Sequence, residues 1–316
     1  MGSDWLKFEE NPTREGGVLL ALVGESGSGK TYSALRIARG FAGTEPFVVL
    51  DTEEGRAGHY CRVGAPWHHA KFPEPWSSER YTEAVQQCER RGTKVLVIDS
   101  FSHEWEGFGG TLDFADSQTT KKGESRQGAD KWREPKLRHR RMMLRLTHSK
   151  IPLIILCVRA EPKLDWKNMD AKGQPRDLGI QPVQDKRLWY DMTVQLLLRR
   201  DGSYSWQKRV TEELASCFPE EGGRLDEKAG RLLAEWQSSA TPRAEYVEPT
   251  KAEPSTEDQI VEVLVEGEGE AHGGTDRLKS WWLMLSPAMQ RALKPEKERL
   301  KTIAEAADQG RDIGGK

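Results

Sequence analysis

Six apolar residues, Val18-Leu19-Leu20-Ala21-Leu22-Val23, run straight into Gly24-Glu25-Ser26-Gly27-Ser28-Gly29-Lys30-Thr31. An unbroken apolar run ended by turn chemistry reads as a strand buried on both faces of a parallel sheet. The glycines let the following backbone curl so that successive N–H groups face one point, where an anion would sit. The stretch "TYSALRIARGFAG" then places Ala34, Leu35, Ala38, Phe41 and Ala42 on one helical face, with Gly43 at its close. A helix opening near Gly29 adds its positive end to the same point. Strand, glycine-rich turn and helix in this order restrict the chain to folds whose parallel sheet carries a phosphate cradle at its carboxyl edge.

The spacing G-x-x-x-x-G-K-[ST] is that of a P-loop. Gly24, Glu25, Ser26, Gly27, Ser28, Gly29, Lys30 and Thr31 are therefore the expected nucleotide contacts. Lys30 supplies a mobile cation for the β- and γ-phosphates, and the Thr31 hydroxyl a ligand for Mg²⁺. A second Mg²⁺ carboxylate is expected from Asp99, at the end of the apolar run "KVLVIDS". ATP and Mg²⁺ are the cofactors this pattern implies.

The rest of the chain alternates in the same way. "FVVLD", "KVLVIDS", "IPLIILCV" and "MTVQLLL" read as further strands. Between them lie a helix carrying Tyr81, Ala84, Val85 and Cys88 at helical spacing, and a basic helix "PKLRHRRMMLRLTHSK" with Pro135 in its first turn. "RRDGSYSWQKR" reads as a hairpin around Asp201-Gly202, and a helix follows at roughly 224 to 238. The predicted class is α/β, a mostly parallel sheet flanked by helices. Glu245 to Glu270 holds nine acidic residues, one Lys and two Pro. The expected division is an ATPase domain over 1–239, an acidic flexible linker over 240–275 with a short ordered piece at "QIVEVLV", and a helical segment over 276–316. Four scattered cysteines without a C-x-x-C pair read as reduced thiols, and no apolar run reaches transmembrane length. A cytoplasmic protein with no membrane partner is expected. His68, His69 and His103 lack a second ligand set at metal-binding spacing.

Hydrolysis needs a carboxylate to activate water. Asp51, Glu53 and Glu54 stand at the end of the second strand, where a side chain can reach water beside a γ-phosphate. At this point the chain resembles RecA/KaiC-class ATPases. "GESGSGKT", "LDTEEGRAGHYCRVG", and "KVLVIDS" with the later "LRHRRMMLRLTHSKIPLIILCVR" carry the resemblance, over roughly residues 16 to 212. It implies that Glu53, two residues after Asp51, is the catalytic base alongside Lys30. RecA-type chains end the fourth strand with a γ-phosphate-sensing Gln; here Cys157 stands there, with Arg159 two residues on. Cysteine cannot donate an amide hydrogen bond, so either the chain lacks a RecA-like nucleotide switch or Arg159 has taken over as sensor.

Between Lys121 and Lys150, eleven Lys or Arg face three acidic residues, a local net of +8 in a chain of net −2. Lys131, Trp132, Arg133, Arg138, Arg140 and Arg141 combine cations with an aromatic platform, which suits single-stranded DNA; a solvated basic helix with core aromatics is the other reading. By the resemblance, the DNA loops are roughly 101–133 and 160–187. The architecture of this region most resembles short phage-encoded RecA-like ATPases of single-strand annealing, recombination or repair; the acidic tail and terminal helices lie outside the resemblance. That likeness implies a homo-oligomer, ring or filament, in a bacterial host cell. A nucleotide-gated adaptor or loader, and a P-loop kinase of a small molecule with "QPRDLGIQPVQDKR" as lid, are the alternative readings.

Overall fold

The computed structural model describes residues 16–118, 128–169, 173–208, 210–238 and 256–312. It divides into two compact units, Met1–Tyr246 and Val247–Lys316.

The first unit begins with β1 (Val18–Gly24), α1 (Lys30–Ala42), β2 (Phe47–Asp51), β3 (Trp67–Lys71), α2 (Ser78–Arg90) and β4 (Val95–Asp99). It continues with α3 (His103–Glu106), α4 (Thr111–Asp116), α5 (Gly128–Thr147), β5 (Leu153–Met169) and β6 (Pro175–Pro182). It closes with α6 (Leu188–Asp191), β7 (Val194–Leu198), β8 (Tyr204–Trp206), α7 (Glu212–Ala215) and α8 (Glu227–Ser238). The sheet order is β3-β2-β4-β5-β1-β7-β8, with β6 paired to β5. Every pairing from β3 to β7 is parallel; β8 and β6 are antiparallel additions.

Two cores explain the unbroken apolar strands. Leu20 and Leu22 face α1 and α8, packing with Ala34, Ile37 and Leu233. Leu19, Ala21 and Val23 point to the other side, among Tyr81, Val85, Met142 and Leu146 from α2 and α5. A strand with helices on both faces has no polar side to show. The expected hairpin also forms, as β7 and β8 pair around Gly202.

Helices α1 and α8 touch backbone to backbone. A Cβ built on Gly40 would lie 1.9 Å from the Glu227 carbonyl oxygen, and one on Gly230 would lie 2.0 Å from that of Ile37. Arg36 bonds the Glu227 carboxylate beside this crossing. Gly230→Ala should therefore destabilise the fold by about 1–3 kcal/mol through overpacking, although Ala is the better helix former. A urea melt checks this, and an unchanged midpoint would mean that the crossing relaxes freely.

Four expectations need correction. The edge strand β3 was not foreseen. The segment 160–187 is no open loop: β5 runs on past Val158, and Ala160 pairs with Pro182 and Leu164 with Asp177 in an antiparallel hairpin. Helix α5 starts at Gly128, so Pro135 lies inside it rather than in its first turn. Pro135 is buried there and lines a small cleft with Phe114 and Arg138. The fourth concerns the predicted linker. Its part from Thr256 to Ala271 is helix α9, which belongs to the second unit with α10 (Thr275–Met284), α11 (Pro287–Ala292) and α12 (Lys297–Asp312). Gly267 packs closely against Trp281, and Ala271 joins a core of Leu278, Trp281, Leu293, Leu300 and Ala304. Residues 240–255 of that predicted linker lie outside the described residues.

Candidate nucleotide site

The loop between β1 and α1 sits at the carboxyl end of the sheet. Gly27 and Gly29 take φ of +81° and +85°, and nothing lies within 4 Å of where their Cβ atoms would be. Both positions therefore face open space. Gly24 is the opposite case: a Cβ there would meet Ser28 Oγ at 2.5 Å and the Leu198 carbonyl oxygen at 2.7 Å. Ser28 is buried, and its Oγ has no hydrogen-bond partner among the described residues. Ser26 is exposed on the loop, and the half-buried Glu25 faces Arg200 at 3.3 Å.

Lys30 Nζ donates to the carbonyl oxygens of Gly24, at 2.8 Å, and Glu25, at 2.9 Å, so it folds back across the cradle. Burial lowers its pKa, with the Asp99 and Glu53 carboxylates acting against that fall. The Thr31 hydroxyl donates to Asp99 Oδ2 at 2.6 Å, joining the start of α1 to the end of β4. Two hard oxygen donors so close suit Mg²⁺, and this is where Thr31 and Asp99 would hold it.

Burial pushes the Asp99 carboxyl up to about 6, against the pull of the Thr31 hydroxyl. An unfolded Asp titrates near 3.9. A raised folded-state pKa adds stability that is complete below the unfolded value and is lost as pH rises through about 6. Asp99→Asn frees the chain of this buried charge. At pH 7.5 the nucleotide-free protein should gain about 1–3 kcal/mol, and at pH 4 almost none, read from urea melts at both values. An equal gain at both pH values would contradict the raised carboxyl.

The three carboxylates after β2 have separate fates. Asp51 is buried and fully engaged: it accepts from the Glu53 and Ala57 N–H groups at 2.8 and 3.1 Å and meets His69 Nε2 at 2.8 Å. It caps the strand end. Glu54 has a φ of 54° and lines a cleft with Lys71, Phe72 and Trp76. Glu53 turns toward the loop. Its Oε1 accepts from Arg159 Nη2 at 2.7 Å and its Oε2 from Arg56 Nη1 at 3.0 Å. Arg159 also stands 3.5 Å from Glu106. Lys30, Thr31, Asp99, Glu53 and Arg159 thus gather at one end of four adjacent strands. Cys157 is wholly buried opposite Asp99, and burial pushes its thiol well up, so it adds no charge.

A second layer behind these groups had no signal in the sequence. The buried Thr52 accepts from the Ser100 N–H at 2.8 Å, donates to the Ser100 carbonyl oxygen and meets His103 Nδ1 at 2.7 Å. His103 stacks on Trp76, and burial lowers its pKa to about 4. Glu104, wholly buried, accepts from Ser78 and Thr111 and meets His139 Nδ1 at 2.9 Å. Burial would push the Glu104 carboxyl up, but His139 and the two hydroxyls outweigh it and hold it below its ordinary range. His139 in turn is raised by Glu104 despite its burial. This pair fixes the segment after β4 to α2 and α5.

The basic residues of α5 divide. Lys131 pairs with Asp116, and Arg138 lies between Glu134 and Glu79 at 3.2 and 3.4 Å with its guanidinium over the Phe114 ring. Trp132 is half-buried, flanked by Lys131 and Lys136. Arg133, Arg140 and Arg141 are exposed. The six therefore do not form one free cationic face.

Residues 17–201 match the family model of the AAA domain, from the entry of β1 to the turn after β7. The chain belongs to this family. The AAA domain is a nucleotide-binding P-loop NTPase, which accounts for the glycine-rich loop and for the Thr31–Asp99 pair beside it. No curated protein matches the chain. Among the described residues no helix is long and apolar enough to cross a membrane.

Proposed function

We propose that this AAA domain hydrolyses ATP with Mg²⁺ and couples turnover to single-stranded DNA, in the manner of RecA/KaiC-class ATPases. The observation that carries the hydrolytic part is the position of Glu53. It stands two residues past the end of β2, the strand next to the one that ends in Asp99, and it faces the loop that holds Lys30. Glu53 takes the proton of the attacking water, Lys30 stabilises charge on the transferred phosphoryl group, and the loop amides orient the phosphates. Thr31 and Asp99 would hold a Mg²⁺ ion, which would supply further neutralisation of that charge.

DNA contact is assigned to two exposed features. Arg133, Arg140 and Arg141 project from α5, and the β5–β6 hairpin carries exposed Lys163, Trp166 and Arg176. Cations beside an aromatic platform suit a flexible phosphate backbone with unstacked bases. A homo-oligomer, ring or filament, is part of the same reading.

An ATPase assay with single-stranded DNA, duplex DNA and RNA tests it, with stimulation expected for single-stranded DNA. In anisotropy titrations, Arg140→Glu with Arg141→Glu should weaken single-strand binding and flatten its salt dependence by about 0.7 per lost contact. Trp166→Ala should cost about 1–3 kcal/mol with little change in that slope, since stacking releases no ions. Binding unaltered in both variants would remove the DNA assignment and favour an adaptor role.

A further inference from the structure

Tyr32 follows Thr31 in the first turn of α1, and it is 44% exposed. Phe108, Trp166 and Tyr190 are also strongly exposed among the described aromatics, but none adjoins the phosphate loop in sequence. A lone exposed ring is ordinary on a protein surface. Tyr32 differs in being held. The guanidinium of Arg36, one helical turn on, stands over its ring at 5.6 Å from the centroid. Arg36 Nε in turn donates to both oxygens of the Glu227 carboxylate at 2.9 Å, at the first residue of α8. Glu227 thus pins Arg36, and Arg36 braces the ring. A ring so held has already given up the rotamer freedom that stacking would otherwise cost.

The sheet order gives a nucleotide on this loop its direction. Gly24 is in register with Arg159 of β5 on one side and with Leu198 of β7 on the other. β4 and β2, which carry Asp99 and position Glu53, lie beyond β5, so the terminal phosphate belongs on that side. The nucleoside end leaves on the other. The two flanks of α1 follow the same division. Leu35 and Arg39 lie against Gly64, in the connection from β2 to β3, where Arg39 Nε donates to the Gly64 carbonyl oxygen at 2.8 Å. Arg36 and Gly40 face α8 instead. Tyr32 is on the Arg36 flank, away from β2. We infer that Tyr32 is the platform for the nucleobase: a purine stacks on the braced ring while the phosphates run along the loop toward Thr31 and Asp99. A stacked base is read by its face rather than its edge. The substrate class is therefore purine nucleoside triphosphates, with adenine and guanine held alike by this contact. The inference rests on the reading of the loop as the nucleotide site, and it names the group that holds the far end of the nucleotide.

Calorimetric titration of the full chain with Mg²⁺ and three probes tests the platform: a non-hydrolysable ATP analogue, its GTP counterpart and inorganic tripolyphosphate. Tyr32→Ala should weaken both nucleotides about tenfold and leave tripolyphosphate within about twofold, which also shows that the loop is intact. Tyr32→Phe keeps the stacking face and should stay within about twofold of wild type for every probe. Arg36→Gln loosens the ring and should cost both nucleotides about threefold, with no further cost in the Tyr32→Ala background. Nucleotide affinity indifferent to Tyr32→Ala, or a loss shared equally by tripolyphosphate, overturns the platform and leaves the nucleotide site standing. A loss confined to one of the two purines means edge recognition and overturns it as well. Failure of the wild-type chain to bind any of the three probes overturns both readings.

Discussion

Lys30→Ala should abolish triphosphate binding and hydrolysis but leave a folded protein. The expected loss in turnover is at least about 10²–10³, the range seen when one preorganised donor to a reacting oxyanion is removed. The fold should survive because Lys30 supports no core. Its ammonium is bonded to two carbonyl oxygens of its own loop, and burial already disfavours its charge. Those carbonyls can turn to water once the side chain is gone. The melting temperature should therefore stay within a few degrees of wild type, since about 1 kcal/mol moves a domain of this size by roughly 2–4 °C. The measurement is phosphate release together with a thermal melt. Wild-type turnover in a well-folded variant would remove the phosphate loop from the site.

The loop and the hydrogen-bonded Thr31–Asp99 pair beside it were legible because their chemistry forces their sequence. A turn that aims amides inward needs glycine, and a strand buried on both faces needs an apolar run. Glu53 could be named from its place after "FVVLD", but its contact with Arg159 could not. The two residues are 106 positions apart, and no local spacing links them. The same holds for Glu104 and His139, each of which reads alone as an ordinary polar residue.

Edge elements escaped for a different reason. Strand β3, "WHHAK", pairs only with β2 and keeps three of its five residues exposed, so it carries no apolar run to find. The β5–β6 hairpin is exposed along most of its length and includes Pro162, which marks an edge rather than a sheet interior. Helix α9 was hidden by its acidic residues. Its packing side is narrow, with Val263 and Leu264 partly buried, and Gly267 and Ala271 buried at helical spacing. Charge density in a sequence reports solvation of one face, and it is silent on whether the other face packs.

Glu53→Gln separates binding from chemistry. Gln is isosteric, so its side-chain oxygen can still accept from Arg159 or Arg56, and the turn after β2 keeps its Asp51 cap. What is lost is the ability to take a proton. A positioned general base contributes about 10²–10⁴ in rate, and hydrolysis should fall by that factor while Mg²⁺-dependent triphosphate binding persists. Glu54→Gln is the matched comparison. Glu54 lies next in sequence but faces the cleft of Lys71, Phe72 and Trp76, so its turnover should stay within about threefold of wild type, far inside the range for a general base. Single-turnover phosphate release reads the chemical step directly, without product release. Full activity in Glu53→Gln with loss in Glu54→Gln would move the base one residue along the chain. It would also leave Arg159 paired to a carboxylate that does no chemistry.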